Sequence, residues 1–459
     1  MMGLPVCDAA RAMEGEWHGP ALDVAGVYSD TRTAMPGALF FALTGPRFDG
    51  HDFVAAAVAA GAAAAVIERR ELARFQGLPV IAVDDPRRAL GELAAYWRRR
   101  VSATVLAITG SNGKTTVKTM LASILRQSCA PVLATRGNLN NDIGLPLTLC
   151  GLTPAHRFAV IEMGASQAGD IARLTAIAAP DVGLVNNAGP AHLEGFGSLN
   201  GVARAKGELY EGLPERGVAV INADDLYAEQ WCASAGQRRI IRFGAAGRTD
   251  CAVIGQAPAA PGQPLTLTVD GESWPVTLRH PGGHNVMNAL AAAAMAHAVG
   301  VPGEQIIRGL AAAAPVGGRL SCRPGPAGAH IYDDSYNANP ASVQAGVAAL
   351  RALPGATWVV LGDMAELGET AEYWHQALGQ FARQQGVARL FTIGALSRLT
   401  AAAFGDAAQH FERRDALIAA LRSQLGAGIN CLIKGSRSAG MERVVKALTG
   451  AAADSEDGR

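Results

Sequence analysis

The chain has 459 residues, 49% of them apolar, and its 40 Lys and Arg balance 40 Asp and Glu for zero formal net charge. At about 150 residues per domain the length predicts roughly three domains, and the charge balance excludes a general electrostatic pull toward nucleic acid or anionic lipid. The seven cysteines form no CxxC pair, so neither a disulfide framework nor a zinc knuckle is indicated.

The N-terminus has no basic segment leading into an apolar run, so no signal peptide is expected. The Ala-rich stretches 54–67 and 289–299 are too short to span a bilayer. A soluble, cytoplasmic, monomeric protein is expected. In the first block, Gly37-Ala-Leu-Phe-Phe-Ala-Leu43 reads as a buried strand, 52–60 as a helix and Val80-Ile-Ala-Val83 as a further strand. The basic run Arg98-Arg99-Arg100 reads as an exposed boundary. In the second block, short apolar runs at 104–108, 158–161, 182–186 and 217–222 alternate with helical patterns, the signature of a helix-covered parallel sheet. Segments 265–269 and 274–278 flank Asp270-Gly271, a hairpin signal, and read as an antiparallel insertion at the sheet edge. The third block opens with a helix at 285–299 and continues with strands at 329–332, 357–361, 389–393 and 429–433. The expected fold is α/β in three domains. These are a small N-terminal α/β domain (1–100), a central P-loop ATPase-like domain (101–281) and a C-terminal Rossmann-like domain (282–459). The tail 451–459 is expected to fray.

The strand at 104–108 runs into Thr109-Gly-Ser-Asn-Gly-Lys-Thr-Thr116, and Val117, Met120, Leu121, Ile124 and Leu125 then repeat with helical spacing. Strand, Gly-rich turn and helix together make a phosphate-binding loop. Gly110, Ser111, Asn112 and Gly113 offer backbone N–H groups at a helix N-terminus, where phosphate oxygens are favoured. Lys114 can reach the transferable phosphate of ATP, and the Thr115 hydroxyl, beside Thr116, can ligate Mg²⁺. Ile108 stands where the longer form of this motif has glycine. No N-K-x-D run for reading guanine is present, which leaves kinases, motors and ligases open.

Glu162 ends the strand at 158–161, and His192 follows the strand at 182–186 within Asn187-Ala-Gly-Pro-Ala-His192. Both therefore fall at carboxyl ends of strands, where open α/β sheets place ligands, and both are candidate metal ligands. Lys206, in Val202-Ala-Arg-Ala-Lys-Gly-Glu208, reads from spacing alone as a solvated helix lysine.

The order and spacing of Thr109–Thr116, Glu162-Met-Gly-Ala-Ser166, His192, Lys206 and Gly283-His-Asn-Val-Met-Asn288 resemble the Mur ligases over nearly the whole chain. Asn138-Leu-Asn-Asn-Asp-Ile-Gly-Leu-Pro146, Tyr332-Asp-Asp-Ser-Tyr-Asn-Ala-Asn-Pro340, Leu361-Gly-Asp-Met-Ala-Glu-Leu-Gly368 and Lys434-Gly-Ser-Arg437 resemble one branch of that family. The resemblance implies an ATP- and Mg²⁺-dependent ligase whose substrates are a UDP-N-acetylmuramoyl-tripeptide and D-alanyl-D-alanine. It implies that Lys206 is carbamylated and joins Glu162 and His192 on the metal. It also implies that Asn285 and Asn288 touch adenine, that Arg319 reaches the phosphates and that Asp334 contacts the nucleotide. Asn337 and Asn339 are expected at the incoming substrate. Ser29, Arg32, Gly45, Arg47, Asp49 and His51 resemble the segment that receives the UDP-sugar end.

Overall fold

In the computed structural model, which describes residues 2–245, 249–254 and 262–450, the chain folds into three α/β units. The tail at 451–459, expected to fray, lies outside the described residues. No helix among the described residues is long and apolar enough to cross a membrane.

The first unit holds strands β1 (Glu16–His18), β2 (Val27–Tyr28), β3 (Leu39–Phe41), β4 (Ala64–Glu68) and β5 (Val80–Val83) in the order β1-β5-β4-β3-β2. Helix α1 (Pro86–Arg98) closes the unit; Pro86 sits in its first turn, and the Asp85 carboxylate caps it by accepting from Arg87 and Arg88 N–H. The triple-arginine run is not a wholly exposed boundary, because Arg98 is only 9% exposed. Its guanidinium donates to the carbonyls of Ala178 and Val101 and pairs with Asp181 at 3.1 Å. The Trp97 indole N–H donates to Leu152 O. Here a side chain long enough to snorkel fastens the first unit to the second. One continuous core joins Leu39, Phe41, Leu90 and Trp97 of the first unit to Val105, Ile161 and Tyr210 of the central one.

The central sheet comprises β6 (Thr104–Thr109), β7 (Val132–Ala134), β8 (Phe158–Glu162), β9 (Val182–Val185), β10 (Val218–Asn222), β11 (Arg239–Gly244), β12 (Cys251–Ile254), β13 (Pro264–Val269) and β14 (Glu272–Thr277). Their order is β14-β13-β12-β11-β10-β9-β6-β8-β7. Pairing is parallel from β12 to β7 and antiparallel for β12–β13 and β13–β14, so the hairpin stands at the edge as the sequence predicts. Helices α2 (Lys114–Arg126) and α3 (Leu199–Glu211) cover opposite faces.

Helices α4 (Gly283–Ala298) and α5 (Gly303–Ala312) change the expected boundary at 281/282. Residues 289–296 of α4 are all fully buried. They pack with Met120, Leu121 and Ile124 of α2 and with the central strands. A helix apolar on every side must be surrounded, and the central sheet supplies that surround. A Cβ on Gly309 of α5 would lie 2.3 Å from Ile124 Cα, so only glycine permits this approach. We therefore place the boundary between α5 and residue 321.

The third sheet holds β15 (Ser321–Pro324), β16 (His330–Asp334), β17 (Ala356–Gly362), β18 (Arg389–Ile393), β19 (Ala408–Phe411) and β20 (Ile429–Lys434), in the order β15-β16-β20-β17-β18-β19. Only β15 is antiparallel. Helix α6 (Pro340–Arg351) starts at a capping box made by Asn339 and Ser342.

Candidate active site

The phosphate-binding loop leaves the carboxyl end of β6, with β8 on one side and β9 on the other. Glu162 ends β8 opposite Ile108, and His192 follows β9. Parallel pairing thus gathers three segments distant in sequence at one edge. Gly113 has φ +82, and a Cβ there would fall 2.2 Å from Asn288 Oδ1, so the loop needs glycine at this position.

Amide side chains hold the loop. Asn186 Nδ2 donates to Asn112 O and to Asn288 Oδ1, each at 2.9 Å, and Asn112 N donates to Asn187 Oδ1. Asn288 Nδ2 donates to Asn285 Oδ1, and Asn285 Nδ2 to Pro281 O. The two asparagines expected at adenine do line the cavity, but both amides are engaged in this chain of bonds. Their visible task is to brace the phosphate loop against α4.

All three units line one cavity of about 1650 Å³. A single small-molecule pocket is usually roughly 300–1,000 Å³, so this one has room for more than one substrate. Ser111, Asn112, Gly113, Lys114 and Thr116 form one wall, with Glu162 and His192 beside them. Arg319, Asp334, Asn337 and Asn339 come from the third unit. The first unit contributes α1, through residues such as Arg87 and Arg88, which the sequence reading did not single out. Arg87 also pairs with Asp142 at 2.6 Å.

Lys114 Nζ donates to Gly110 O at 2.7 Å. Burial lowers its pKa; Glu162 opposes that shift and Arg319 adds to it. Glu162 is 2% exposed. Its Oε1 accepts from Asn140 Nδ2, and its Oε2 lies 3.3 Å from Lys118 Nζ. Burial pushes this carboxyl up, but Lys118, Lys114 and Arg319 outweigh burial and the net shift is down, so it stays ionised. Lys118, one helical turn beyond Lys114, escaped the sequence reading; its spacing from Lys114 was the available signal. Arg319 Nη2 donates to Thr115 Oγ1 at 3.1 Å, and the guanidinium stacks over Tyr336, 4.2 Å from the ring centre. Asp334 accepts from Leu320 N–H and pairs with Lys434 at 2.6 Å.

Lys206 is not a solvated helix lysine, being 2% exposed. It lies outside the cavity lining, with Nζ 5.7 Å from the centre of the Phe196 ring. Among the described residues no carboxylate pairs with it. Burial drives its pKa well below the usual lysine range, and Lys114 adds to that. His192 is lowered by burial too, against the pull of Glu366. Among the described residues no three His, Cys, Asp or Glu side chains converge as a metal site.

Other expectations are redirected. Asn339 caps α6 with Oδ1, while its Nδ2 donates to Asn112 Oδ1 at 2.8 Å; it joins the third unit to the phosphate loop. Asn337 Oδ1 accepts from Ala338 N–H, and its carbonyl accepts from Lys434. None of Ser29, Arg32, Gly45, Arg47, Asp49 and His51 lines the cavity. Arg32 pairs with its neighbour Asp30 at 2.6 Å. His51 is 2% exposed; Nδ1 lies 2.6 Å from Asp49 Oδ1 and Nε2 accepts from Glu68 N–H, so its ring serves the fold. Ser29 is half-buried, and Gly45 and Arg47 are exposed.

A phosphate loop, buried acidic and cationic groups beside it and a third unit reaching back onto it define the ATP-dependent ligase class. Residues 108–296 match the Mur ligase middle domain, 318–437 the Mur ligase glutamate ligase domain and 23–98 the Mur ligase family catalytic domain. The chain is 44% identical over 451 residues to the UDP-N-acetylmuramoyl-tripeptide–D-alanyl-D-alanine ligase of Escherichia coli (strain K12), covering 98% of this chain and 99% of that protein. Its fold matches the crystal structure of MurF from Acinetobacter baumannii with a TM-score of 0.90 and 34% identity, over 98% of this chain and 100% of that one. MurF ligase from Thermotoga maritima in complex with ADP gives a TM-score of 0.82 and 29% identity, over 93% and 97%. The chain belongs to the Mur ligase family.

Proposed function

We propose that this chain joins D-alanyl-D-alanine to a UDP-N-acetylmuramoyl-tripeptide at the expense of ATP, in peptidoglycan precursor synthesis. The observation that carries the reading is the single cavity in which Lys114, Glu162, His192 and Arg319 of two units converge, in a chain 44% identical to such a ligase. The substrates are small, charged and water-soluble, which suits work in the cytoplasm.

The chemistry starts from a difficulty. A free carboxylate is a poor acyl donor because oxide is its leaving group. Transfer of the γ-phosphoryl of ATP to the tripeptide carboxylate gives an acyl phosphate and ADP. The amine of D-alanyl-D-alanine then attacks the acyl carbon, phosphate departs, and the amine proton is lost to solvent or base. The protein's task in the first step is to bring two anions together. Loop N–H groups at the start of α2, Lys114 and Arg319 offset the repulsion. Arg319 lies on Thr115, so seating the third unit adds a positive charge to the phosphate site.

Glu162, His192 and Lys206 would hold the divalent cation. Two of these are ready-made donors; the third must first be modified. A buried lysine without an acid partner favours the neutral amine, the form that adds carbon dioxide to give a carbamate. Mg²⁺ when bound supplies charge neutralisation between carboxylate and phosphate. Asp334 and Lys434 line the cavity, which supports a nucleotide contact for Asp334.

The test is coupled ADP release with the UDP-tripeptide, with and without D-alanyl-D-alanine. ADP and phosphate formation that depends on both supports the reading. ADP release indifferent to the dipeptide, with a stable phosphorylated product, would make the protein a kinase.

A further inference from the structure

The third unit reaches the candidate metal site through Arg319, which donates to Thr115, and through a loop that meets His192. Glu366 Oε2 lies 2.5 Å from His192 Nδ1, within hydrogen-bond distance although the ring N–H is not aimed at the oxygen as the two side chains stand. Two residues on, Gly368 adjoins the segment after His192, where a Cβ would make ordinary contact at 3.6 Å from Glu194 Cα. His192 and Glu366 both adopt left-handed backbone, with φ +54 and +63. That region is sterically disfavoured for residues with a Cβ and persists where surroundings impose it, often at functional sites. Two such residues facing each other across a unit boundary are not explained by stability alone. Their side chains are 31% and 56% exposed, and a partly exposed ion pair contributes little to folding.

We propose that Glu366 is a positioning residue: the seated third unit brings its carboxylate to His192 Nδ1, fixes the proton there and leaves Nε2 as the nitrogen available to a divalent cation. The inference rests on the metal reading of Glu162, His192 and Lys206 given above. A ligating histidine is generally oriented by a carboxylate or carbonyl on its other ring nitrogen. Here the orienting group comes from a different unit than the ligand. The cation site is therefore complete only when the third unit is docked, and cation binding in turn favours docking.

The test follows metal binding rather than turnover. The full chain, with AMPPCP as a non-hydrolysable nucleotide, is titrated with MnCl₂ and read by electron paramagnetic resonance. Wild type is compared with Glu366→Ala, Glu366→Gln and His192→Ala. Glu366→Ala should weaken the His192-dependent Mn²⁺ population by about 10-fold or more, the usual effect of losing an orienting partner. Glu366→Gln, whose amide oxygen still accepts from Nδ1–H, should keep most of the affinity. Unchanged Mn²⁺ binding in Glu366→Ala, with loss in His192→Ala, overturns the proposal and leaves the metal reading standing. No loss in His192→Ala overturns both. Equal loss in both Glu366 variants with a lower melting temperature marks a structural contact and also overturns the proposal.

Discussion

The phosphate-loop edge of the central sheet and the segment 29–51 of the first unit are both rich in polar motif residues, yet they treat charge in opposite ways. At the central edge, Glu162 and Lys206 are buried and Lys114 is half-buried around the site, and Lys206 has no carboxylate partner among the described residues. In segment 29–51 the charges are spent locally: Arg32 on Asp30, and His51 between Asp49 and the backbone of Glu68. A buried charge without a partner is costly and is retained where a ligand completes it. A neutralised or exposed charge carries no such implication.

The largest effect should come from Lys114→Ala. Losing one preorganised charge at the transferred phosphoryl costs on the order of 3 kcal/mol, a factor of about 100 in turnover. Near-normal steady-state rates would show that buried charge at this edge is not catalytic. Lys206→Ala should follow, with a large loss partly restored by added acetate or formate, which can stand in for the carbamate. Full activity without additive would return Lys206 to a packing role. His51→Ala should act on the fold, costing about 1–3 kcal/mol for stranded buried polar groups. Melting temperature should fall while KM for the UDP-tripeptide holds; a selective rise in KM would reinstate His51 as a substrate contact. The smallest effect is expected from Arg32→Ala, within twofold in every kinetic constant, because a fully exposed pair is screened by water and contributes little.

What was legible in the sequence follows the same division. The strands at 80–83, 158–162 and 389–393 and the phosphate loop showed through, because apolar runs and left-handed glycines leave local marks. The short strands Ser321–Pro324 and Ala408–Phe411 did not, since edge strands with mixed exposure lack a clean alternation. Arg98, Lys118 and Glu366 were missed as functional or joining residues for another reason. Each acquires its role from a partner far off in the chain: Asp181, Glu162 and His192. Spacing from Lys114 marks the face of α2 on which Lys118 lies, but neither periodicity nor motif spacing names the distant partner of any of the three. Asn285 and Asn288 show the converse, where motif resemblance located the residues but not the bonds they make.

The ownership of α4 and α5 bears on how such proteins can be cut and recombined. A chain ended at residue 281 would strip both helices from α2 and leave Met120, Leu121 and Ile124 facing water. That stump should aggregate. A chimaera that exchanges the third unit with that of a related ligase should instead be joined between residues 313 and 320, so that both helices travel with the sheet they cover. The modular seam thus lies some thirty residues beyond the 281/282 boundary that the sequence pattern suggests.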